Sequence, residues 1–172
     1  MNPADGCRYQ VNRPTKWDSG WPETICGKGA KISETKAIRE WLPQVIRDWD
    51  LHTIADVGCG DRNWIKEVDW GKSPIYYQGF DIANHGPSFD CTKDILPIPF
   101  DLVLCIYVLN HLYGSKDMET SIENFRKSGS KYLLATFNDV DKFLLEPQDF
   151  IWHKEKTSGS VSRNWYYGIF KL

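Results

Sequence analysis

Residues 53–60 place an acid and a glycine turn directly after a short apolar segment, a pattern suited to holding a nucleoside. The segment reads Thr-Ile-Ala-Asp-Val-Gly-Cys-Gly, and Asp56 is its acid. A second strand candidate ends on Asp81, 25 residues after Asp56. Glycines let the backbone approach a ligand closely, and an acid at a strand tip accepts hydrogen bonds from ribose hydroxyls. The pattern therefore predicts a nucleoside site at the carboxyl ends of two parallel strands.

The turn has two glycines where a dinucleotide site has three. A dinucleotide fingerprint places its third glycine three residues after Gly60, and position 63 is Asn. Two glycines suit a ligand that has no pyrophosphate. The turn therefore favours S-adenosylmethionine over NAD, and a small dehydrogenase stays a distant alternative that NADH binding would reveal.

Composition and charge limit the classes of protein. The 172 residues carry a formal net charge of −2, so no overall field favours nucleic acid. Five cysteines without a CxxC spacing predict reduced thiols in a cytoplasmic protein. The four histidines show no metal-ligand spacing, so we expect no metal site. The start of the chain has no secretory pattern and no apolar run is long enough to span a membrane, so we expect no membrane association.

The first half of the chain alternates helix and strand patterns around the glycine turn. An apolar stripe predicts a helix, with a kink or a break into two short helices at Pro43. Its members are Ile38, Trp41, Leu42, Val45, Ile46 and Trp49. Strands are predicted at 53–57 and 75–80, and between them a helix begins near Asp61 and carries Trp64, Ile65 and Val68.

The second half of the chain completes an α/β pattern. Only eight residues separate Asp81 from Asp90, which leaves room for a loop but not for a crossover helix. A central strand at 100–106, a helix at 116–127 and a strand at 131–137 follow, and an antiparallel hairpin is predicted from 149–156 and 164–171. We expect an irregular arm over 1–32 and one domain over 33–172. This order predicts a doubly wound, Rossmann-like, mostly parallel sheet with a C-terminal antiparallel hairpin, a trimmed second crossover and a ligand site at the carboxyl strand ends.

Several sequence blocks, in this order, resemble the class I S-adenosylmethionine-dependent methyltransferases, and in particular a small bacterial subgroup of them. The similarity covers roughly residues 25–137. The blocks are Cys26-Gly27-Lys28-Gly29 with Arg39-Glu40-Trp41-Leu42-Pro43, Asp56-Val57-Gly58-Cys59-Gly60-Asp61 with Asn63-Trp64, Asp101-Leu102-Val103-Leu104-Cys105 with Leu109 and His111-Leu112, and Ser128-Gly129-Ser130-Lys131-Tyr132-Leu133-Leu134.

The resemblance implies S-adenosylmethionine as the cofactor and assigns its parts to three regions. The turn, with Asp56 and Asp61, would hold the methionine part, and Asp81 would bind the ribose. Asp90 and Cys91, at the end of a third strand, would flank the adenine. The full predicted cofactor set is Asp56, Gly58, Cys59, Gly60, Asp61, Asp81, Ile82, Asp90, Cys91 and Cys105. Simpler interpretations stay open, since Asp56 and Asp61 could cap a helix and the thiols of Cys59 and Cys105 could be packing residues.

The chain departs from the subgroup after the cysteine of the fourth-strand block. The subgroup has Arg-Asp there, and this chain has Ile106-Tyr107. If that Asp orients the acceptor or takes its proton, this chain either lacks the function or performs it with Tyr107, Asn110 or His111. We predict His111 and Tyr107 as catalytic residues, because an imidazole with a pKa of about 6.5 can accept a proton near neutrality. A structural histidine at a helix start is the alternative.

The predicted function is methyl transfer from S-adenosylmethionine to a small-molecule or nucleoside-like acceptor. A nucleic-acid methyltransferase is one alternative, but Cys105-Ile106-Tyr107-Val108 lacks the Pro-Pro-aromatic segment of amino-group DNA enzymes and the Pro-Cys of cytosine-C5 enzymes. A regulatory module that binds the cofactor without catalysis is the other. Methyl transfer draws much of its rate from alignment, so a missing base would not exclude an enzyme.

Overall fold

Six strands form one mixed sheet in the computed structural model, which describes residues 22–24, 26–72, 74–83, 87–112, 116–138, 145, 147–153 and 165–172. The strands are β1 (Thr53–Val57), β2 (Tyr76–Phe80), β3 (Leu102–Cys105), β4 (Tyr132–Asn138), β5 (Pro147–His153) and β6 (Trp165–Lys171). Their order is β2-β1-β3-β4-β6-β5. The first four are parallel, and β6 is antiparallel to β4 and β5. The predicted Rossmann-like fold with an antiparallel C-terminal hairpin is confirmed.

In the described ranges, two α-helices cover opposite faces of the sheet, α1 (Lys36–Asp48) and α2 (Lys116–Lys127). Strand side chains alternate between the faces: Leu102 and Leu104 pack in the cluster that contains α1, and Val103 and Cys105 pack in the cluster that contains α2. This period of two explains why β3 is apolar throughout, because both of its faces are buried. None of the helices in the described part of the chain is both long and apolar enough to cross a membrane.

Helix α1 continues through Pro43 as one element, so a break into two short helices is wrong. Proline has no N–H to donate to the carbonyl one turn earlier. The buried stripe compensates, because Ile38, Leu42 and Ile46 lie against the sheet on both sides of the proline.

The helix predicted to begin near Asp61 is also wrong, since the structure has only a single 3-10 turn, Ile65–Glu67. Asp61 Oδ1 accepts a hydrogen bond from the Asn63 N–H at 3.1 Å, and Arg62 takes a left-handed conformation with φ 60°. Such a side-chain to backbone bond competes with helix formation.

The connection from β2 to β3 contains no helix in the residues described, which confirms the predicted loop. The third strand, which was expected to end at Asp90, is absent from the described residues 87–90. Asp81 makes only an isolated parallel bridge with Ser88, and a turn then follows at Cys91. The expected irregular arm lies mostly outside the described residues; its described end includes a 3-10 turn at Lys28–Ala30.

Candidate active site

A cavity of about 320 Å³ opens beside the glycine turn. Four parts of the chain contribute to its wall: the end of the arm, the turn after β1, the loop after β3 and the start of β6. The lining residues are Cys26, Gly27, Gly29, Ala30, Gly58, Cys59, Gly60, Asp61, Trp64, Ile106, Tyr107, Val108, Asn110, His111 and Trp165. The cavity therefore lies where the sheet order places a ligand, at the carboxyl ends of β1 and β3.

The glycine turn is held against the end of β2. The N–H groups of Gly58 and Cys59 donate to the Phe80 carbonyl at 2.8 and 3.1 Å. Gly58 and Gly60 both have positive φ, 78° and 50°. A Cβ on Gly60 would lie 2.5 Å from Cys26 Sγ, and one on Gly58 would overlap the Val108 side chain. The turn therefore requires glycine for its conformation and for the close approach of its neighbours.

Asp81 fixes this turn from the tip of β2. Its Oδ2 accepts a hydrogen bond from the Gly60 N–H at 2.8 Å, and its Oδ1 accepts one from the Ala83 N–H at 2.6 Å. The residue is only 8% exposed and does not line the cavity. Each carboxylate oxygen has a further lone pair, so both retain capacity for a ligand hydroxyl. Ile82, which follows, is partly buried outside the cavity lining.

Asp56 is a buried carboxylate beside the turn. It is 3% exposed, and the Tyr77 hydroxyl donates to its Oδ2 at 2.6 Å. Burial raises its pKa to about 6, and the hydrogen bond from Tyr77 limits that rise. Asp56 does not line the cavity, so its direct partner in the structure is Tyr77.

The thiols at the turn are protonated. Burial, together with nearby carboxylates, raises the pKa of Cys26 to about 12 and that of Cys59 to about 11. A thiol in this state is a poor nucleophile. Asp61 and Asp81 contribute to the rise at Cys26, and their charges favour a bound cation at this end of the cavity, whereas Arg62 offsets part of the negative charge near Cys59.

Asp61 joins the arm to the turn. Its Oδ2 accepts a hydrogen bond from the Thr24 hydroxyl at 2.8 Å, and its backbone N–H donates to Cys26 Sγ at 3.1 Å. Asn63 adds a bond from its amide to the Ala30 carbonyl at 3.0 Å. The sequence analysis did not predict that Thr24 contributes to the site. Its position close to the Cys26 block was the one sequence feature that pointed to it.

Tyr107 has a strained backbone at the opposite wall. Its φ is 55°, which is uncommon for an aromatic residue. The conformation is held by a hydrogen bond from its N–H to Thr136 Oγ1 at 3.1 Å. Its hydroxyl lies 3.3 Å from that of Tyr167, and its ring centroid lies 6.3 Å from that of Trp165.

His111 lies on the same loop and is exposed to solvent. Partial desolvation of its ring still lowers its pKa below 6.5, although a hydrogen bond with the Tyr107 backbone opposes that effect. The imidazole is therefore neutral at pH 7. The structure brings His111 and Tyr107 to one cavity with Gly58, Cys59, Gly60 and Asp61.

Three more predicted cofactor residues lie outside the cavity lining, in addition to Asp56, Asp81 and Ile82. Asp90 accepts hydrogen bonds from Thr92 and Lys93; burial opposes ionisation, but these bonds outweigh it and lower its pKa. Cys91 packs beside α2, where Asn124 Nδ2 donates to its carbonyl at 3.0 Å. Cys105 is fully buried in the core. Contact of these residues with a cofactor stays a prediction.

The fold is shared with several solved methyltransferases. The structure aligns with N-methyltransferase NodS from Bradyrhizobium japonicum WM9, in complex with S-adenosylhomocysteine, at a TM-score of 0.63 and 10% identity over 99% of this chain and 98% of that chain. It also aligns with magnesium protoporphyrin IX methyltransferase (ChlM) from Synechocystis PCC 6803, with bound S-adenosylmethionine. The TM-score is 0.62 and the identity is 15%, over 100% of this chain and 98% of that chain. An S-adenosylmethionine-dependent methyltransferase from Clostridium acetobutylicum ATCC 824 aligns at a TM-score of 0.51 and 13% identity, over 80% of this chain and 72% of that chain.

No protein-family model matches the chain, and no curated protein is significantly similar to it in sequence. At these identities the likeness establishes the fold alone.

Proposed function

We propose that this protein is an S-adenosylmethionine-dependent methyltransferase that acts on a small-molecule acceptor. The observation that carries the proposal is the hydrogen bond from the Gly60 N–H to Asp81 at 2.8 Å, which joins the glycine turn in the cavity wall to the acid that directly follows β2. The shared fold supports the cofactor, because structures with this fold contain S-adenosylmethionine or S-adenosylhomocysteine.

The residues at the turn fit this cofactor. A Cβ would fill the space at Gly58 and Gly60, and the remaining capacity of Asp81 suits ribose hydroxyls. The three carboxylates Asp56, Asp61 and Asp81 outnumber the one nearby guanidinium, Arg62, and this excess of negative charge suits a sulfonium and an ammonium group. Six of the proposed contacts lie outside the lining. Of these, Asp81 accepts a hydrogen bond from the glycine turn, and Asp56, Ile82, Asp90, Cys91 and Cys105 carry lower weight.

His111 is the proposed base. When bound, S-adenosylmethionine supplies an activated methyl group. His111 is neutral at pH 7 and lines the cavity, so it can take the proton that an acceptor hydroxyl or amine loses. Its exposed edge allows that proton to pass to solvent. Tyr107 acts as a positioning residue, because its strained backbone fixes one wall of the cavity.

A small acceptor agrees with the size of the cavity. Its volume of about 320 Å³ lies at the low end of the range of about 300–1,000 Å³ for small-molecule sites. NodS and ChlM are named for N-methylation and for methylation of magnesium protoporphyrin IX.

We also propose a cytoplasmic location, because the four described cysteines are free thiols. The division into an arm over 1–32 and a domain over 33–172 is a proposal as well.

Calorimetry with S-adenosylmethionine, S-adenosylhomocysteine and NADH, side by side, tests the cofactor. We expect micromolar binding of the two sulfur ligands and no binding of NADH. Absence of binding by both sulfur ligands would refute the proposal. Release of labelled methyl product from an acceptor pool then separates an enzyme from a module that only binds the cofactor.

A further inference from the structure

Two buried polar atoms at the cavity have no hydrogen-bond partner in the described part of the chain. They are Nε1 of Trp165, a donor, and Oδ1 of Asn110, an acceptor. Both residues line the cavity, and Trp165 is only 8% exposed. Folded proteins pair nearly all such atoms, because a buried polar group without a partner loses its hydration and gains nothing. The two atoms therefore mark positions where a bound molecule would complete the pairing.

These atoms belong to the acceptor part of the cavity. Asn110 lies in the loop after β3, and Trp165 begins β6, where it pairs with Asn138 of β4. Neither belongs to the arm or the glycine turn, which we assign to the cofactor. His111, the proposed base, is the neighbour of Asn110 in the same loop and lines the same cavity.

The charges at the cavity disfavour an anionic acceptor. No Lys or Arg is among the described lining residues. His111 is neutral at pH 7 because partial desolvation lowers its pKa. Asp61, the one carboxylate among the described lining residues, accepts a hydrogen bond from Thr24 and would repel an anion. A carboxylate or phosphate would enter this cavity without a cationic partner, which is costly.

The walls favour a flat molecule. Trp64, Tyr107 and Trp165 contribute aromatic rings to the lining. The cofactor and the acceptor share the volume of about 320 Å³, which leaves little room for a bulky acceptor. We infer that the methyl acceptor is a flat molecule without an anionic group, which carries a ring carboxamide or lactam in addition to the hydroxyl or amine that is methylated. The carbonyl oxygen of that group accepts from Trp165 Nε1, and its N–H donates to Asn110 Oδ1. The inference rests on the proposed function, since it names the acceptor of that site.

Benzamide and benzoate provide a matched pair of probes, because they have nearly the same shape and differ in charge and in the N–H donor. We would titrate each by calorimetry into protein saturated with S-adenosylhomocysteine. Benzamide is expected to bind at least ten-fold more tightly than benzoate. Equal or tighter binding of benzoate, or no binding of benzamide to the saturated protein, overturns the inference while leaving the cofactor site intact. Failure of S-adenosylhomocysteine to bind is a separate result, which overturns the proposed function and the acceptor class with it.

Two variants test the two atoms. Trp165→Phe keeps an aromatic ring and removes the donor, and Asn110→Leu removes the acceptor at similar volume. Loss of one hydrogen bond should weaken benzamide binding about 3- to 10-fold with unchanged S-adenosylhomocysteine affinity. Trp49→Phe is the control, because Trp49 packs edge-on against Tyr132 outside the cavity. Near-UV circular dichroism identifies a variant that does not fold. If one variant fails to fold, the benzamide affinity of the other tests the inference. Wild-type benzamide affinity in the folded variants contradicts the inference.

Discussion

The Tyr77 hydroxyl lies 2.6 Å from Oδ2 of Asp56, which joins strands β2 and β1 directly before the glycine turn. Both groups resist ionisation. Burial first, and the Asp56 charge second, raise the pKa of Tyr77, and burial raises that of Asp56 to about 6. The carboxylate before the turn is therefore only partly stabilised in its charged form, so the free energy of unfolding depends on pH.

Asp56 should make the protein less stable as pH rises. Its folded pKa of about 6 exceeds its ordinary value of 3.8, so the folded state binds more protons between these values. The unfolding free energy then falls from about pH 4 to pH 6, by about 3 kcal/mol from this group. Asp56→Asn should remove that loss, since the amide oxygen still accepts from Tyr77. Urea unfolding at pH 4, 5, 6 and 7 measures it, and identical pH profiles for the two proteins would contradict the prediction.

Asp101 should make the protein more stable as pH rises, the opposite of the effect of Asp56. Burial disfavours its charge, but hydrogen bonds from Lys131 and from the N–H groups of His52 and Thr53 outweigh burial and lower its pKa to about 2. Its contribution is complete above about pH 4 and is lost as pH falls through 2. Asp101→Asn should cost about 1–2 kcal/mol at pH 7, after allowance for solvent screening.

A control separates the backbone bonds of Asp101 from its ion pair. Lys131 is exposed, so Lys131→Met should change the unfolding free energy little at pH 7. If Lys131→Met is as destabilising as Asp101→Asn, the ion pair rather than the bonds to β1 stabilises this corner of the sheet.

Gly60→Ala should weaken cofactor binding at least ten-fold. The new Cβ would lie 2.5 Å from Cys26 Sγ and would displace the arm, in addition to straining a residue with φ 50°. Gly71→Ala is the matched control, since Gly71 has φ 64° and no atom within 4 Å of the added Cβ. Both variants lose about 1–2 kcal/mol to backbone strain. Calorimetry with S-adenosylhomocysteine should show a loss in Gly60→Ala only; equal affinities would mean that crowding at the turn is unimportant.

His111→Gln should slow methyl transfer about 100-fold or more. A base acts in its deprotonated form and the pKa of His111 lies below 6.5, so the wild-type rate should be constant near pH 7 and fall only below the ordinary histidine range. The variant should lose this acid limb. His52→Gln is the control, because His52 is exposed and pairs with Asp50 away from the cavity. An unchanged rate and pH profile in His111→Gln would remove His111 from the mechanism.

Local patterns in the sequence determined the fold. The apolar stripe of α1, the doubly buried β3 and the short connection after Asp81 each depend on periodicity or length, which neighbouring residues fix. The same patterns predicted the turn and the acid at the tip of β2, because strand order brings their carboxyl ends together. They failed after Asp61, where one side-chain hydrogen bond to the Asn63 N–H replaced a helix.

Only the tertiary structure decided which of these residues line one cavity. Contacts between segments far apart in the chain place Thr24 against Asp61 and Trp165 beside Tyr107, and no local pattern encodes such pairs. The same packing buries Asp56 next to Tyr77 and places Cys105 in the core. The sequence thus determined the chemistry available at the strand ends. The burial, charge state and orientation of each group depend on neighbours that only the folded chain brings together.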